Sequence, residues 1–596
     1  MPPAATSAPP QRSHRRHPDA APHRQRGAPI ALGLVQGGTL TQQLVVSERL
    51  LLLSVLLTGF ALRLPLLDRF PFHQDEAIYS YWARYGRHVD PLFLHVWPDK
   101  PPLYLWLLGS TFDLLGATPA AARFFNITVS TLTLAVVAAL ARQWWDARTG
   151  MLAALLLALS PFAVSFAPTA FTDPLLVLAG MLALLAVVRR RYFWAGVWLG
   201  VAIMTKQQGV LYAPLVLGFG SYAQHGQRRL LRGAAALAVG LLLIVAPILW
   251  WDSLRWAVAP SPWDLGARNA AGFALAAPEQ WWSRAHAWLE LGRYLLGDTW
   301  SWWLLAALLA YGALRWRQSH YRTPYRAPAL GLALWGAAFL ALHIVTTVQV
   351  WDRYLLPLAP VVALLVAFTM TTVVAASAAS RLHDPAHATR PLWRAHRRHW
   401  AGRGGWTPHL LAALLMLALA GPALRAAQGR LPLGGDHGAY TGLDTVAAWL
   451  NAHSDARPAV YQRNLGWHFQ FYLFDAVQAD QVELRWYPSA VYLADNAAKT
   501  PHRPRYLVTA DWSPERNLST QLALRRLTAQ VRLRVGNFTV YELSETATPP
   551  STWRICAARS EGRAAASPDR AEPFAGFPVL TLPQQPLLAC PVEHQP

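Results

Sequence analysis

The chain has 596 residues, 54% of them hydrophobic and only 14% charged, and its mean hydropathy is positive, which excludes a water-soluble multidomain protein. Lys and Arg outnumber Asp and Glu 53 to 32, but the excess sits in the N-terminal segment and in short Arg-rich connections between apolar runs. That pattern is a topology signal and excludes a nucleic-acid footprint.

Residues 1–45 begin with Pro, Ala, Arg and His and carry no apolar period, predicting a disordered basic cytoplasmic tail rather than a signal peptide. A helix needs about 20 apolar residues to cross about 30 Å of hydrocarbon. Segments 49–67, 119–141, 150–167, 172–188, 234–251, 300–314, 328–348, 354–378 and 408–424 come near that length. Between 192 and 220 the polar "TKQQG", Thr205 to Gly209, interrupts an apolar run. Two short helices there bring the total to eleven spans. They also put Arg142 and Arg148, Arg189 to Arg191, Arg228 to Arg232, Arg315 to Arg326 and the cluster from Arg381 to Arg403 on one face, as the positive-inside rule asks. A single helix would move the later clusters to the other face.

A helix of about 13 residues rises only about 20 Å, which sets Lys206 below the outer membrane surface. Two readings of Lys206 stand side by side: irregular backbone lining a cavity, or a side chain that snorkels to the interface. The expected organisation is a transmembrane domain over 46–426 with outer loops 68–118 and 252–299. An extracytoplasmic α/β domain follows over 427–546, and a loosely ordered Pro- and Ala-rich tail over 547–596. The Trp-rich loop 252–299 has the spacing of an interfacial helix. In the C-terminal domain "TGLDTVAAWLNAH" reads as helix, and "RPAVYQ", "RYLVTA" and "FTVYEL" read as strands. Cys556 and Cys590 form no metal-binding spacing, and their pairing stays unassigned.

The opening of loop 68–118 carries "DEAIY" at Asp75 to Tyr79 and "DKPPLYLW" at Asp99 to Trp106. After it come "RFFN" at Arg123 to Asn126, "FTDPLL" at Phe171 to Leu176, "MTKQQG" at Met204 to Gly209 and "DRYLLPLAP" at Asp352 to Pro360. In this order the motifs resemble the GT-C integral-membrane glycosyltransferases, specifically the protein O-mannosyltransferase and aminoarabinose-transferase group. The resemblance covers roughly residues 49–380. It implies a polytopic α-helical GT-C fold and transfer, with inversion, of a sugar from a polyprenyl-phosphate carrier, a hexose such as mannose being the expected one. The acceptor is a protein, lipid or glycan outside the cytoplasm, and nucleic acid is not among the partners. It places Asp75 nearest the reacting carbon as base, and Lys100, Lys206 and Arg353 near the donor phosphate.

Transfer from a lipid phosphate to a hydroxyl requires a proton acceptor, stabilisation of positive charge growing on the sugar and of negative charge growing on the phosphate. Asp75 serves the first two needs, and Glu76 beside it is a candidate to orient the base or share its proton. Lys100 and Lys206 are, with Lys499, the only lysines in the chain, and a lysine acts on phosphate as a compact charge. Asp99, Asp173, Tyr79 and Tyr104 are further pocket candidates. The resemblance leaves a divalent metal cation open as a cofactor, with Asp99 and His286 as candidate ligands.

Plainer readings accompany these. Asp75 and Glu76 suit a helix start, Asp173 suits an N-cap, and Pro101 and Pro102 suit the first turn of the next helix. Arg123 and Arg353 suit anchoring at the interface, and the tryptophans of 252–299 an aromatic belt. The alternative from another functional class is a transporter or flippase of lipid-linked glycans.

Overall fold

The computed structural model describes residues 34–222, 226–269, 274–318, 326–382 and 407–546. The tail up to residue 33, most of the basic cluster from Arg381 to Arg403, and the segment 547–596 with Cys556 and Cys590 lie outside the described residues. The chain divides into two compact units, Met1–Leu51 and Leu52–Pro596. The first unit's described part is the start of a long helix, α1 (Leu34–Arg63), and all else described here belongs to the second.

The apolar runs form helices whose ends follow local chemistry. The helix α4 (Pro119–Trp144) starts where Thr118 accepts the Ala121 N–H and Pro119 fills the first turn. Asp146 caps α5 (Ala147–Ala158) by accepting the Thr149 N–H at 2.7 Å. The expected span 150–167 is broken: α5 stops at Ala158 and α6 (Pro161–Phe166) follows, because Pro161 supplies no N–H and disfavours helical geometry at Ser160. The carbonyls freed at the break are met by Arg63. This fully buried side chain donates to Ala158 O at 3.3 Å, Leu157 O at 3.4 Å, Gly59 O at 2.7 Å and Ser130 Oγ at 3.0 Å.

The segment 192–222 breaks at Lys206, between α8 (Tyr192–Thr205) and a 3₁₀ turn, Gln207–Tyr212, that leads into α9 (Ala213–Tyr222). The chain then turns back. A Cβ on Gly220 would lie 3.3 Å from Val187 and 3.9 Å from Tyr192, beside the end of α7 (Asp173–Val188) and the start of α8. Residues 192–222 are thus a helical hairpin. Next, α10 (Gln227–Arg255) runs alongside α8 in the same direction. Their backbones touch at glycines, since a Cβ on Gly196 would fall 1.9 Å from Leu237 O and one on Gly240 2.0 Å from Phe193 O. By length and composition, three described helices are long and apolar enough to cross a membrane: Pro119–Trp144, Gln227–Arg255 and Arg326–Val345.

Loop 68–118 contains two helices, α2 (Gln74–His88) and the apolar α3 (Leu103–Leu115). The second loop forms α11 (Pro262–Asn269) and α12 (Pro278–Gly292). Trp282 of α12 is 82% exposed, as an interfacial side chain would be, but Trp288 is fully buried and donates to His343 O at 3.0 Å. Trp288 is therefore a packing residue, outside any aromatic belt. The neighbouring Arg284 donates to the carbonyls of His343 and Ile344, left open at the end of α13 (Arg326–Val345), and to that of Val348 just beyond it.

The C-terminal part is a five-stranded sheet of order β2-β1-β3-β5-β4. Its strands are β1 (Ala459–Gln462), β2 (Glu483–Trp486), β3 (Arg505–Ala510), β4 (Leu527–Val535) and β5 (Phe538–Glu545). The pairs β1–β2 and β1–β3 are parallel, and β3–β5 and β4–β5 antiparallel. Side chains alternate between two cores. Val460, Val508 and Val540 pack with helix Leu443–Ala452 on one face, and Ala459, Tyr461 and Leu507 with helix Ala490–Ala498 on the other. Strands covered on both faces read as continuous apolar runs, which is why β1, β3 and β5 were visible in the sequence. The edge strands β2 and β4 carry arginines and were not.

Candidate active site

The site is built at the start of α2. His73 is the N-cap: its Nδ1 accepts the Asp75 N–H at 3.1 Å, while its own N–H donates to Glu76 Oε2 at 2.8 Å, completing a capping box. The two adjacent acids then part company. Glu76 turns inward, where its carboxylate receives Arg123 on both oxygens at 3.0 and 2.8 Å and the Ala170 N–H at 2.8 Å. Arg123 also reaches the carbonyls of Phe70 and Pro71 at 2.7 and 3.1 Å. Burial would raise the Glu76 carboxyl, but Arg123 and these donors outweigh it and hold it below the ordinary range.

With four donors on its two oxygens, Glu76 has no free position for a proton shared with Asp75. It organises the loop. Arg123 is correspondingly no interfacial anchor, being 4% exposed and enclosed in this pair. Replacing Glu76 by Ala leaves that guanidinium buried without its partner and is expected to cost about 3–5 kcal/mol of stability. Unfolding in detergent measures it, and an unchanged midpoint would show that the backbone carbonyls suffice for Arg123.

Asp75 keeps 23% of its side chain exposed and pairs with Arg353 at 2.5 Å. Burial pushes its carboxyl upward, but the charges of Arg353, His73 and Lys100 prevail and bring it down to about 2. Arg353 stands beside the rings of Phe171 and Trp351, 5.0 and 5.2 Å away, within the protein and away from any anchoring position. Lys100 pairs with Asp99 at 2.6 Å, and Asp99 also accepts from Asn269 at 2.9 Å. Burial alone would lower the Lys100 ammonium, but nearby Tyr79 and Asp99 raise it above its ordinary value.

Lys206, 4% exposed, does not snorkel. It pairs with Asp173 at 2.6 Å and lies 4.2 Å from the centre of the Tyr354 ring. Asp173 itself is in the first turn of α7, after the N-cap Thr172. Gln207, next to Lys206, donates to Asp99 O at 2.8 Å, tying the hairpin break to the Lys100 loop. The charges of Arg353 and Lys100 both act on Lys206. The structure therefore gathers Asp75, Lys100, Asp99, Lys206, Asp173 and Arg353 into one polar cluster of three ion pairs. Tyr79 is buried within their field. Tyr104 lies deeper and accepts from the Asn126 amide at 3.2 Å, which also donates to Thr169 O and Phe171 O.

His286 stands apart on the exposed face of α12. Among the described residues no group of three or more His, Cys, Asp or Glu is arranged to hold a metal, and the Asp99 carboxylate is occupied by an ammonium and an amide. Among the described residues the two candidate ligands, Asp99 and His286, are not brought into one such group.

Sequence reasoning missed the Glu76–Arg123 pair, Asn269, Gln207 and the glycine-rich segment "GGDHG". In that segment Gly434 donates to Asp352 Oδ2 at 3.1 Å, and Asp436 Oδ2 and His437 Nε2 are buried with no partner among the described residues.

Residues 99–251 match the family model of dolichyl-phosphate-mannose-protein mannosyltransferase. No curated protein matches the chain by sequence. Among solved structures, ArnT from Cupriavidus metallidurans bound to undecaprenyl phosphate shares 18% identity at a TM-score of 0.54, covering 84% of this chain and 98% of that one. The apo form of the same protein gives 0.55 over the same shares. The archaeal oligosaccharyltransferase AglB from Archaeoglobus fulgidus, in complex with an inhibitory peptide and a dolichol-phosphate, gives 14% identity and 0.50 over 83% of this chain and 74% of that one. Its neighbours in family and in fold are glycosyltransferases, and the chain carries the integral-membrane GT-C fold that the order of its sequence motifs implied.

Proposed function

We propose that this protein is a membrane glycosyltransferase that moves a sugar, a hexose such as mannose, from a polyprenyl-phosphate carrier to an extracytoplasmic acceptor with inversion. The observation that carries the reading is the meeting of three cations, Lys100, Lys206 and Arg353, with Asp75, the part-exposed acid of α2. Each cation is held by its own carboxylate, so the cluster is neutral and ordered before substrate arrives. A phosphate brought among them offers each a second anionic partner.

Arg353 then divides its charge between the donor phosphate and Asp75, and the carboxylate that it had held down recovers basicity. Asp75 faces the sugar carbon. The acceptor oxygen forms its bond to that carbon and gives its proton to Asp75, while the bond between carbon and phosphate oxygen breaks and its electron pair leaves with the phosphate. The products are the glycosylated acceptor and the polyprenyl phosphate. The proposal includes eleven spans with the N-terminus in the cytoplasm. On that topology the hairpin at 192–222 restores the inward side before Arg228, and the site opens on the outer face.

The test is a donor screen on the purified full chain with labelled polyprenyl-phosphate sugars. Transfer or slow hydrolysis of the sugar is expected. A protein that carried the lipid across vesicles and left every glycosidic bond intact would be a transporter, and the proposal would fail.

A further inference from the structure

We propose that His468 and Tyr472, on the helix Gly466–Tyr472 of the C-terminal domain, are positioning residues that set the place of Asp75 in the reaction proposed above. The two side chains are four residues apart and share one helix face. Together they take both backbone groups of a single residue, Phe72. The Phe72 N–H donates to Tyr472 OH at 3.1 Å, and His468 Nε2 donates to Phe72 O at 3.0 Å.

Phe72 is fully buried, and its ring meets Phe471 edge-on at 5.0 Å. The next residue is His73, whose ring caps α2 through the Asp75 N–H. Three links therefore join the sheet domain to the acid: helix 466–472, the Phe72 peptide and the His73 cap. A second fastening further along α2 prevents the helix from pivoting. Arg84 donates to both oxygens of Asp475 at 2.9 Å, lies 4.2 Å over the Phe474 ring and reaches Phe471 O at 3.3 Å. Tyr81 and Trp82 pack against Trp467 at 5.9 and 5.8 Å.

The His468 bond does not switch with pH. Burial depresses the imidazole to about 3, against the raising effect of its bond to Phe72, so it stays neutral with its one N–H committed to Phe72. Its Nδ1 has no partner among the described residues, which leaves Phe72 O as the only acceptor for the ring proton. This arrangement fixes the peptide two bonds upstream of the α2 cap. The Glu76–Arg123 pair holds the other ends of the same two peptides, at Pro71 O and the His73 N–H, so the C-terminal helix completes their fixation, and a displacement of about 1 Å at a reacting group costs about a hundredfold in rate.

Tyr472→Phe keeps the ring and removes the hydroxyl. With the full-length enzyme in excess over radiolabelled undecaprenyl-phosphate mannose, or whichever labelled donor the screen selects, a single turnover gives a rate constant and an amplitude. Poor folding lowers the amplitude alone. The expected result is a rate constant about 10- to 100-fold lower with amplitude and donor affinity kept, because Lys100, Lys206 and Arg353 lie on other elements. His468→Leu should behave alike, and His468→Gln, whose amide can donate to Phe72 O, should restore the rate. An unchanged rate constant in Tyr472→Phe, at any amplitude, overturns the inference.

Absence of turnover in the native protein would instead sink the functional reading. Hydrogen exchange then decides the positioning: amides of 72–77 exchange faster in Tyr472→Phe if it holds, and at the native rate if it does not.

Discussion

Asp75→Asn is expected to lower turnover by about 10²- to 10⁴-fold, the range that a positioned general base contributes, with donor binding retained. The argument rests on what asparagine keeps and loses. Its amide oxygen still accepts from Arg353 and its shape still fits the start of α2, so the fold should survive. What disappears is the carboxylate charge that the proposed reaction sets against the sugar and uses to take the acceptor proton. Full turnover in this variant would end the assignment.

The same carboxyl sets a pH expectation. Its folded value is depressed, from 3.8 to about 2. The stability it contributes is therefore present above the unfolded value and lost as pH falls through 3.8 toward 2. Turnover governed by Asp75 in the resting enzyme should show no acid limb between about pH 5 and 8, since the carboxylate is already ionised there. A limb that appears only at saturating donor would mark the loosening of Arg353 by the phosphate.

The second large effect is expected at Lys206. Removing it alone would strand Asp173, 1% exposed, so the informative variant is the double change Lys206→Met with Asp173→Asn. A charge-assisted hydrogen bond is worth about 1.5–3 kcal/mol, which corresponds to donor affinity weakened about 10- to 100-fold. Titration of the purified variant with the donor lipid measures this directly. Native affinity would assign Lys206 to Asp173 alone, as a buried structural pair that closes the hairpin break.

Local signals in the sequence were legible wherever one residue type decides a geometry. The polar "TKQQG" marked the break at Lys206, and the parity of the arginine clusters chose two helices where one long apolar run could be drawn. The apolar strands β1, β3 and β5 stood out because both of their faces are covered. The missed features depend on partners distant in sequence. Glu76 and Asp75 look alike as neighbouring letters, and only Arg123, 47 residues on from Glu76, separates a buried loop organiser from the part-exposed partner of Arg353. Arg63 looks like the basic end of a span until the carbonyls freed before Pro161 come to meet it. Edge strand β4, "LTAQVRLRV", does alternate apolar with polar residues, a strand signal that the sequence reading passed over, and β2 has only four residues in which to show one. The 13-residue α3 is apolar but too short for a span, and Pro101 and Pro102 marked its start within the loop.

The grip on Phe72 has a consequence for how the protein is made. His468 follows Phe72 by 396 residues, so a ribosome that has delivered the apolar helices up to Ala427 has not yet supplied the side chains that hold the turn before Asp75. Until then the Phe72 N–H and carbonyl lack the two partners that the finished fold gives them. A chain ending near Ala427 would lack both bonds to Phe72 and leave that turn to the Glu76–Arg123 pair alone.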